Sequence, residues 1–451
     1  MSLYERFSIS ATSTAPAAHD PRSPVAKDRD RIIHSSAFRR LQGKSQIVGV
    51  EVGDFFRTRI THTIECAQIG RGIATAVAAN EWQGVVEQPE AFPDVVEAAC
   101  LAHDLGHPPF GHNGEQALSA MMRKHNASLF EGNAQSFRIV TQLESKANAP
   151  TRADPLRERW LGLDLTRATL RAVMKYTELE NNSMLKVEHP TFGCYNDTAD
   201  REYYEWVWEG AKNPSRTVAA AIMDTADDIA YAVHDFEDGV WAGMIPLQAL
   251  LNEQDYAVGL LSEKVRQRDR KQLFAGSDFA NTFAALFTDQ EVASKLEYLR
   301  TIGYDRTREA RAELKNYTAW LIGELMGSVT SGGSFVEPAG DVGRRIAMLK
   351  AFAWQWMIER TDIETIHFGQ KRLIQRIFEG YCERPEMLPR REEWEVIRSK
   401  STRRQRRGWA RWPEKIRHVC DHIAGMTDGY AHAVYDQMYR ATQHRDLHLT
   451  Y

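Results

Sequence analysis

A chain of 451 residues with 43% hydrophobic content can bury a large core, and it contains no apolar run long enough to span a membrane. Its 57 Lys and Arg against 61 Asp and Glu leave a net charge of −4, which gives no general attraction to nucleic acid. The N-terminus lacks the charged-then-apolar pattern of a secretory signal, so a globular cytoplasmic protein of one large or two modest domains is expected.

Residues 8 to 24 are rich in Ser, Thr, Ala and Pro and are expected to be mobile. The stretch from Ile47 to Phe56, with turn glycines at 49 and 53, is compatible with a short hairpin. A helix then opens at Arg57-Thr-Arg59-Ile-Thr-His62. Ile60, Ile64, Ala67 and Ala74 cover one of its faces and Ile69, Ile73 and Ala76 the other, which predicts a buried helix with His62 near its start. Val95 to Ala102 is small and apolar, a second buried helix that ends in His103 and Asp104 and is stopped by Gly106, Pro108 and Pro109.

From His103 to Glu115 three histidines and two carboxylates fall within thirteen residues. A buried aspartate with no cationic neighbour in sequence is costly unless it pairs or binds a metal, so this run reads as a metal and acid–base site. Residues 145 to 160 and 178 to 202 read as loops, with a short aromatic helix over 196 to 209. Val218 to Val240 is a long helix carrying Asp224, Asp227, Asp228, Asp235, Glu237 and Asp238, and no Lys or Arg occurs between Arg216 and Lys264. Those six acids need cations from elsewhere, and a metal is the economical supplier. Asp227, Tyr231 and Asp235, spaced by four, share one face.

Further amphipathic helices are expected over Arg308 to Met326 and Val342 to Arg360; no alternating strand series or internal repeat is visible. Five cysteines, at 66, 100, 194, 382 and 420, are odd in number and widely spaced, and read as reduced core thiols. Arg390 to Arg417 is basic with interleaved tryptophans, as in Arg403-Arg404-Gln-Arg406-Arg407-Gly-Trp409-Ala-Arg411-Trp412. That composition suits single-stranded nucleic acid, a solvated surface segment or a contact with another subunit.

The segments Asp28 to Gln46, Arg59 to Thr63, His103 to Glu115, Phe130 to Gln135, Ala226 to Tyr231 and Ile423 to Asp428 together resemble the HD-domain deoxyguanosine triphosphate triphosphohydrolase family. The resemblance runs from about residue 28 to 430. It implies an all-α fold, with a mobile segment over 1–27, an HD metal-dependent catalytic core over 28–245, and a helical C-terminal region over 246–451 that completes the nucleotide pocket and oligomer contacts. It also implies one divalent metal per subunit, held by His62, His103, Asp104 and Asp227. Asp227 is chosen over Asp228 because it alone puts Tyr231 and Asp235 at the pocket-lining positions. Two imidazoles and two carboxylates suit Mn²⁺ or Mg²⁺, with Fe²⁺, Co²⁺ and Ni²⁺ also compatible.

By the same resemblance His112 is the general acid or base with Glu115 orienting it, and His107 contacts phosphate. Arg59, Lys44 and Arg40 serve the phosphates, Gln46 and Tyr231 contact the sugar, and Asp235 lines the pocket. Many relatives carry a histidine at the position of Gly132, so that second catalytic histidine is absent here. The implied reaction is hydrolysis of deoxynucleoside triphosphates to deoxynucleoside and tripolyphosphate in a homo-oligomer, commonly a hexamer. The alternatives are another HD phosphohydrolase activity, nucleotidase or phosphodiesterase, and a nucleic-acid-binding protein with a residual nucleotide site.

Overall fold

Three apolar helices make the centre of the molecule because each is too apolar to face water on more than one side. These are α3 (Arg59–Ala79), α4 (Phe92–Ala102) and α9 (Val218–Trp241), which pack against one another. Ile73 and Val77 of α3, Val96 and Ala99 of α4, and Ile229 and Val233 of α9 are fully buried, each large aliphatic contributing about 1.5–3 kcal/mol. The computed structural model describes residues 2–7, 20–46, 57–79, 88–144, 146, 148–150, 158–181, 183, 184, 187, 190–268, 273, 274, 278–330, 335–388 and 413–440.

Around this centre lie α1 (Pro24–Ile33), α2 (Ser36–Arg40), α5 (His112–Lys124), α6 (Gly132–Arg138), α7 (Arg167–Val173) and α8 (Thr198–Val207). After α9 the chain passes through several further helices, and then forms α10 (Arg308–Val329), α11 (Gly340–Ala353), α12 (Thr361–Glu383), α13 (Pro413–Ala424) and α14 (Asp428–Tyr439). Ser23 caps α1 ahead of Pro24, and Thr217 caps α9 by accepting from Ala220 N at 3.1 Å, so the helix starts follow ordinary N-cap chemistry.

The apolar side chains separate into more than one cluster. Leu118, Met121 and Met122 of α5 do not join the α3–α4–α9 core. They pack with Phe110 and Phe130 against Ile374, Ile377 and Phe378 of α12, Ile416 and Val419 of α13, and Ala431 and Val434 of α14. The helix that begins at His112 is therefore seated on the C-terminal helices.

Among the described residues the fold is all-α apart from one small antiparallel hairpin, and it lies elsewhere than expected. Strands Asn148–Pro150 and Glu158–Trp160 pair inside the stretch expected to be a loop, while Ile47 to Phe56, like residues 8–19, lies outside the described residues. The α3 helix is buried on both expected faces, through Ala67 and Ala74 on one and Ile69 and Ile73 on the other, while Ile64 at the margin of the first is 43% exposed. The aromatic helix expected over 196–209 is Thr198–Val207, inside the expected 178–202 loop at its start. The helix expected to run to Arg360 keeps its α form to Ala353 and then widens over Trp354–Ile358. All five cysteines are free thiols, four of them buried.

Gly106 shows how closely the turn after α4 approaches α6. A Cβ there would lie 2.2 Å from Gly132 O and from Ser136 N, both backbone atoms. Gly106→Ala is therefore expected to destabilise the protein by about 1–3 kcal/mol, as overpacking does. Thermal denaturation checks this, and an unchanged midpoint would contradict the close approach.

Candidate active site

The end of α4 delivers His103 and Asp104 into the space between α3 and α9. His103 Nδ1 donates to Cys100 O at 2.6 Å, which turns Nε2 toward that space; the atom is buried and has no hydrogen-bond partner among the described residues. Facing it are His62, from the first turn of α3, and Asp227, from the middle of α9. His62 Nε2 lies 3.0 Å from Asp227 Oδ1, and His103 Nε2 lies 3.5 Å from the same oxygen. One donor atom from each of the three falls within 4.8 Å of the others. A buried imidazole nitrogen without a hydrogen-bond partner, converging with a second imidazole and a carboxylate, is a donor set that a divalent cation could occupy.

Asp104 stands beside this cluster. Its Oδ2 accepts from Arg59 Nη1 at 2.8 Å, while Oδ1 lies 2.9 Å from His107 Nδ1 and 3.4 Å from His103 Nε2. Burial alone would raise the Asp104 carboxyl, but Arg59, His103 and His107 outweigh it and hold the group well below the usual carboxylate range. Asp227 behaves in the same way, with His103 and His62 overcoming its burial. Burial works against charge on His103, yet Asp104, Cys66 and Asp227 lift that ring well above an ordinary histidine when no metal is bound.

A second cluster adjoins the first. His107, His112 and Glu115 also bring donor atoms within 4.8 Å of one another. His112 opens α5 with its side chain 74% exposed, and its Nδ1 lies 3.1 Å from Glu115 Oε2; the other oxygen, Oε1, accepts from Gly132 N at 2.8 Å. Burial would raise Glu115, but its bond to His112, the charges of His112 and His107 and the Gly132 N–H bring it down to about 2. His107 is pushed below the usual histidine range by burial and by Arg59. A Cβ at Gly132 would lie 3.3 Å from Glu115 Oε1 and 3.5 Å from His107 Cε1, so a larger side chain at that position would point into this cluster. Beyond His112 a cleft of about 460 Å³ continues along α5, past Ser119 and Arg123, to Glu131, Pro190 and Thr191.

The acids of α9 correct the expectation that a metal serves them as a group. Asp224 pairs with Arg216 and Lys175, Asp228 with Lys350, Glu237 with Arg57 and Lys315, and Asp238 with Arg57. Apart from Arg216, which stands just ahead of α9, their cations come from distant segments, and Asp227 alone of the six meets the two histidines. Asp104 likewise has its cation in Arg59, 45 residues away.

The remaining expected positions are placed as follows. Lys350 Nζ sits 5.6 Å above the Tyr231 ring. Asp235 is buried with Oδ2 unpartnered among the described residues, and burial followed by Asp238 raises its carboxyl well above the usual range. The buried Gln46 Oε1 also has no partner among the described residues. Arg40 bonds Ser36 Oγ at 2.9 Å and lies 3.5 Å from Glu144. Lys44 is buried and donates to two backbone carbonyls, those of His107 and Ala424. Arg403 to Trp412 lies outside the described residues.

Three residues near the site were not assigned from sequence. Lys350 had no local signal, since it is one basic residue on an amphipathic helix. Glu131 and Asp428 lay inside the family motifs without a role. Glu131 caps α6 through Ala134 N at 2.8 Å, and burial, then Glu115, pushes its carboxyl up to about 8.

Comparison with known proteins agrees with this geometry. Residues 59–232 match the HD domain and residues 338–437 match the phosphohydrolase-associated domain, which defines a hydrolase of the HD phosphohydrolase class. The chain is 36% identical over 405 residues to a deoxyguanosinetriphosphate triphosphohydrolase-like protein of Streptomyces coelicolor, covering 84% of this chain and 86% of that one. It is 32% identical to proteins of the same description from Shewanella pealeana, covering 94% of each, and from Vibrio cholerae serotype O1, covering 94% and 95%. The chain belongs to the deoxyguanosinetriphosphate triphosphohydrolase-like family. Among the described residues no helix is long and apolar enough to cross a membrane.

Asp227→Ala is expected to abolish stoichiometric Mn²⁺ binding while Asp228→Ala retains it, as read by equilibrium dialysis with elemental analysis; the reverse pattern would contradict the assignment. Mn²⁺ affinity should also depend on pH. The His103 proton is held more tightly than usual without metal and must leave when the ion binds, so affinity should tighten as pH rises above the ordinary histidine range. A pH-independent dissociation constant from electron paramagnetic resonance titration would contradict this.

Proposed function

We propose that this protein is a divalent-metal-dependent deoxynucleoside triphosphate triphosphohydrolase, releasing deoxynucleoside and intact tripolyphosphate. The observation that carries the reading is the adjacency of the two clusters across Asp104. A cation-competent set of His62, His103 and Asp227 stands beside an exposed histidine braced by a buried carboxylate. The names of the relatives support the substrate class.

When bound, a divalent ion supplies Lewis acidity toward the α-phosphoryl oxygens, worth several kcal/mol of barrier. The side chains do the rest. A water oxygen bonds to the α-phosphorus, the bond from that phosphorus to the 5′-oxygen breaks, and the 5′-oxygen takes a proton to leave as the deoxynucleoside hydroxyl. His112 is the proton donor in this reading, because it is accessible and Glu115 Oε2, 3.1 Å from its Nδ1, orients the ring. Arg59, beside Asp104, and His107 are the groups for the α-phosphate, and the N-terminus of α5 adds a favourable field for anionic oxygens. Gln46, Tyr231 and Asp235 are assigned to the sugar. The unpartnered polar atoms of Gln46 and Asp235 are what a deoxyribose hydroxyl would satisfy. Arg40 and Lys44 are both engaged within the protein, so they support the phosphate side from behind.

Anion-exchange analysis of dGTP incubated with enzyme and Mn²⁺ tests the reaction. Tripolyphosphate and deoxyguanosine are expected, whereas orthophosphate or a nucleoside monophosphate would indicate a different HD reaction. His112→Ala should lower turnover by about 10²- to 10⁴-fold with metal content unchanged, and Glu115→Gln should do so more mildly. Steady-state kinetics with metal analysis checks this, and full turnover in His112→Ala would exclude it as the proton donor. Deoxynucleotides should be preferred over ribonucleotides, and the preference should weaken in Tyr231→Ala; equal kcat/KM for GTP and dGTP would contradict the sugar pocket.

A further inference from the structure

The loop from His107 to His112 is fastened to two stretches that are distant in sequence. Asp428, the first residue of α14, is 8% exposed. Its Oδ1 accepts from Phe110 N at 2.9 Å, and its Oδ2 accepts from Ser45 N at 2.9 Å and from Ser45 Oγ. At the other end of the loop, Lys44 is 1% exposed and donates its Nζ to His107 O and, at 2.9 Å, to Ala424 O. The Thr427 side chain packs against Gly43. Residues 43–45 and 424–428 thus form one seat, and both ends of the loop are tied to it.

The loop needs such a seat. Phe110 holds φ at +63°, in the left-handed region that an aromatic residue rarely adopts, and Gly111 follows at +54°. Such a conformation persists only where the surroundings over-determine it. The Phe110 amide is held by Asp428 and its ring packs edge-on to His432 of α14, with centroids 5.2 Å apart. His112 is the second residue beyond. Burial, together with Arg40 and Arg59, brings the Lys44 ammonium down to about 7, in keeping with a lysine that serves backbone carbonyls inside the protein.

We propose that Asp428 is a positioning residue for the reaction. By holding Phe110 and Ser45 it sets where the His112 ring stands relative to the cluster of His62, His103 and Asp227. This rests on the reading of His112 as the proton donor. A purely structural tie would lower stability and leave the activity of each folded molecule unchanged. A positioning role loses turnover through His112, and misplacement by about 1 Å can cost about 10²-fold.

The test uses the full-length protein, dGTP and Mn²⁺, with Asp428→Ala, the milder Asp428→Asn, His112→Ala and the Asp428→Ala/His112→Ala double variant. Asp428→Ala is expected to lower kcat by about 10- to 10²-fold with KM and Mn²⁺ stoichiometry little changed, and to add no further loss in the His112→Ala background. Hydrogen–deuterium exchange should quicken in the amides of residues 106–114 in both Asp428 variants and stay unchanged in α3 and α9. Asp428→Asn keeps one acceptor oxygen but sets a donor against the second amide; should the alanine variant not fold, it carries the same cycle. Selective exchange in the loop together with non-additive kinetics supports the proposal. Unchanged loop exchange, or losses that multiply in the double variant, overturns it. Should His112→Ala alone keep full turnover, the acid assignment fails, and the exchange measurement still decides whether Asp428 holds the loop.

Discussion

Everything at this site is organised by a carboxylate that has been taken out of water. Asp104, 3% exposed, cannot remain charged in the interior without partners, and it draws them from three directions: Arg59 from the start of α3, His103 beside it in sequence, and His107 one turn further on. Removing one partner of such a buried pair costs about 3–5 kcal/mol, mostly from the charge left behind. The requirement fixes α3 against the end of α4, and α3 brings His62 with it. The α9 helix completes the arrangement by presenting Asp227 opposite both rings.

The second layer of organisation is apolar. The α5 helix carries His112 and Glu115, yet its buried face belongs to a different core from the one that holds α3, α4 and α9. The residues that match the HD domain supply the histidines and aspartates, and the helices within the phosphohydrolase-associated match supply much of the surface on which α5 rests. The short loop between Asp104 and His112 joins the two clusters. The geometry of that loop is therefore set as much by residues 424–432 as by its own sequence.

Much of this was legible in the sequence, and the boundary is physical. The arrest of α4 at Gly106 and Pro108, and the arrival there of His103 and Asp104, are local events that residue types decide. The i+4 spacing of Asp227, Tyr231 and Asp235 is equally local. What could not be read is partnership across the fold. The six acids of α9 suggested a shortage of cations, but Arg57, Lys315 and Lys350 come from elements whose packing no spacing reveals. Lys44 reads as a phosphate ligand from its motif because burial is not written in a single residue. Ile64 reads as core because an apolar side chain at the margin of a buried face looks like its covered neighbours Ala67 and Ala74. The hairpin at residues 148–160 escaped because its strands are three residues each and one contains a proline.

The central claim is that His62, His103 and Asp227, with Asp104 alongside, form the cation site, and that His107, His112 and Glu115 remain free for the substrate. Anomalous diffraction from crystals soaked in Mn²⁺ measures this directly. The account predicts one strong peak at about 2.0–2.2 Å from the Nε2 atoms of His62 and His103, with an Asp227 oxygen in the same shell. A peak seated between His107, His112 and Glu115, with the first cluster empty, would contradict it.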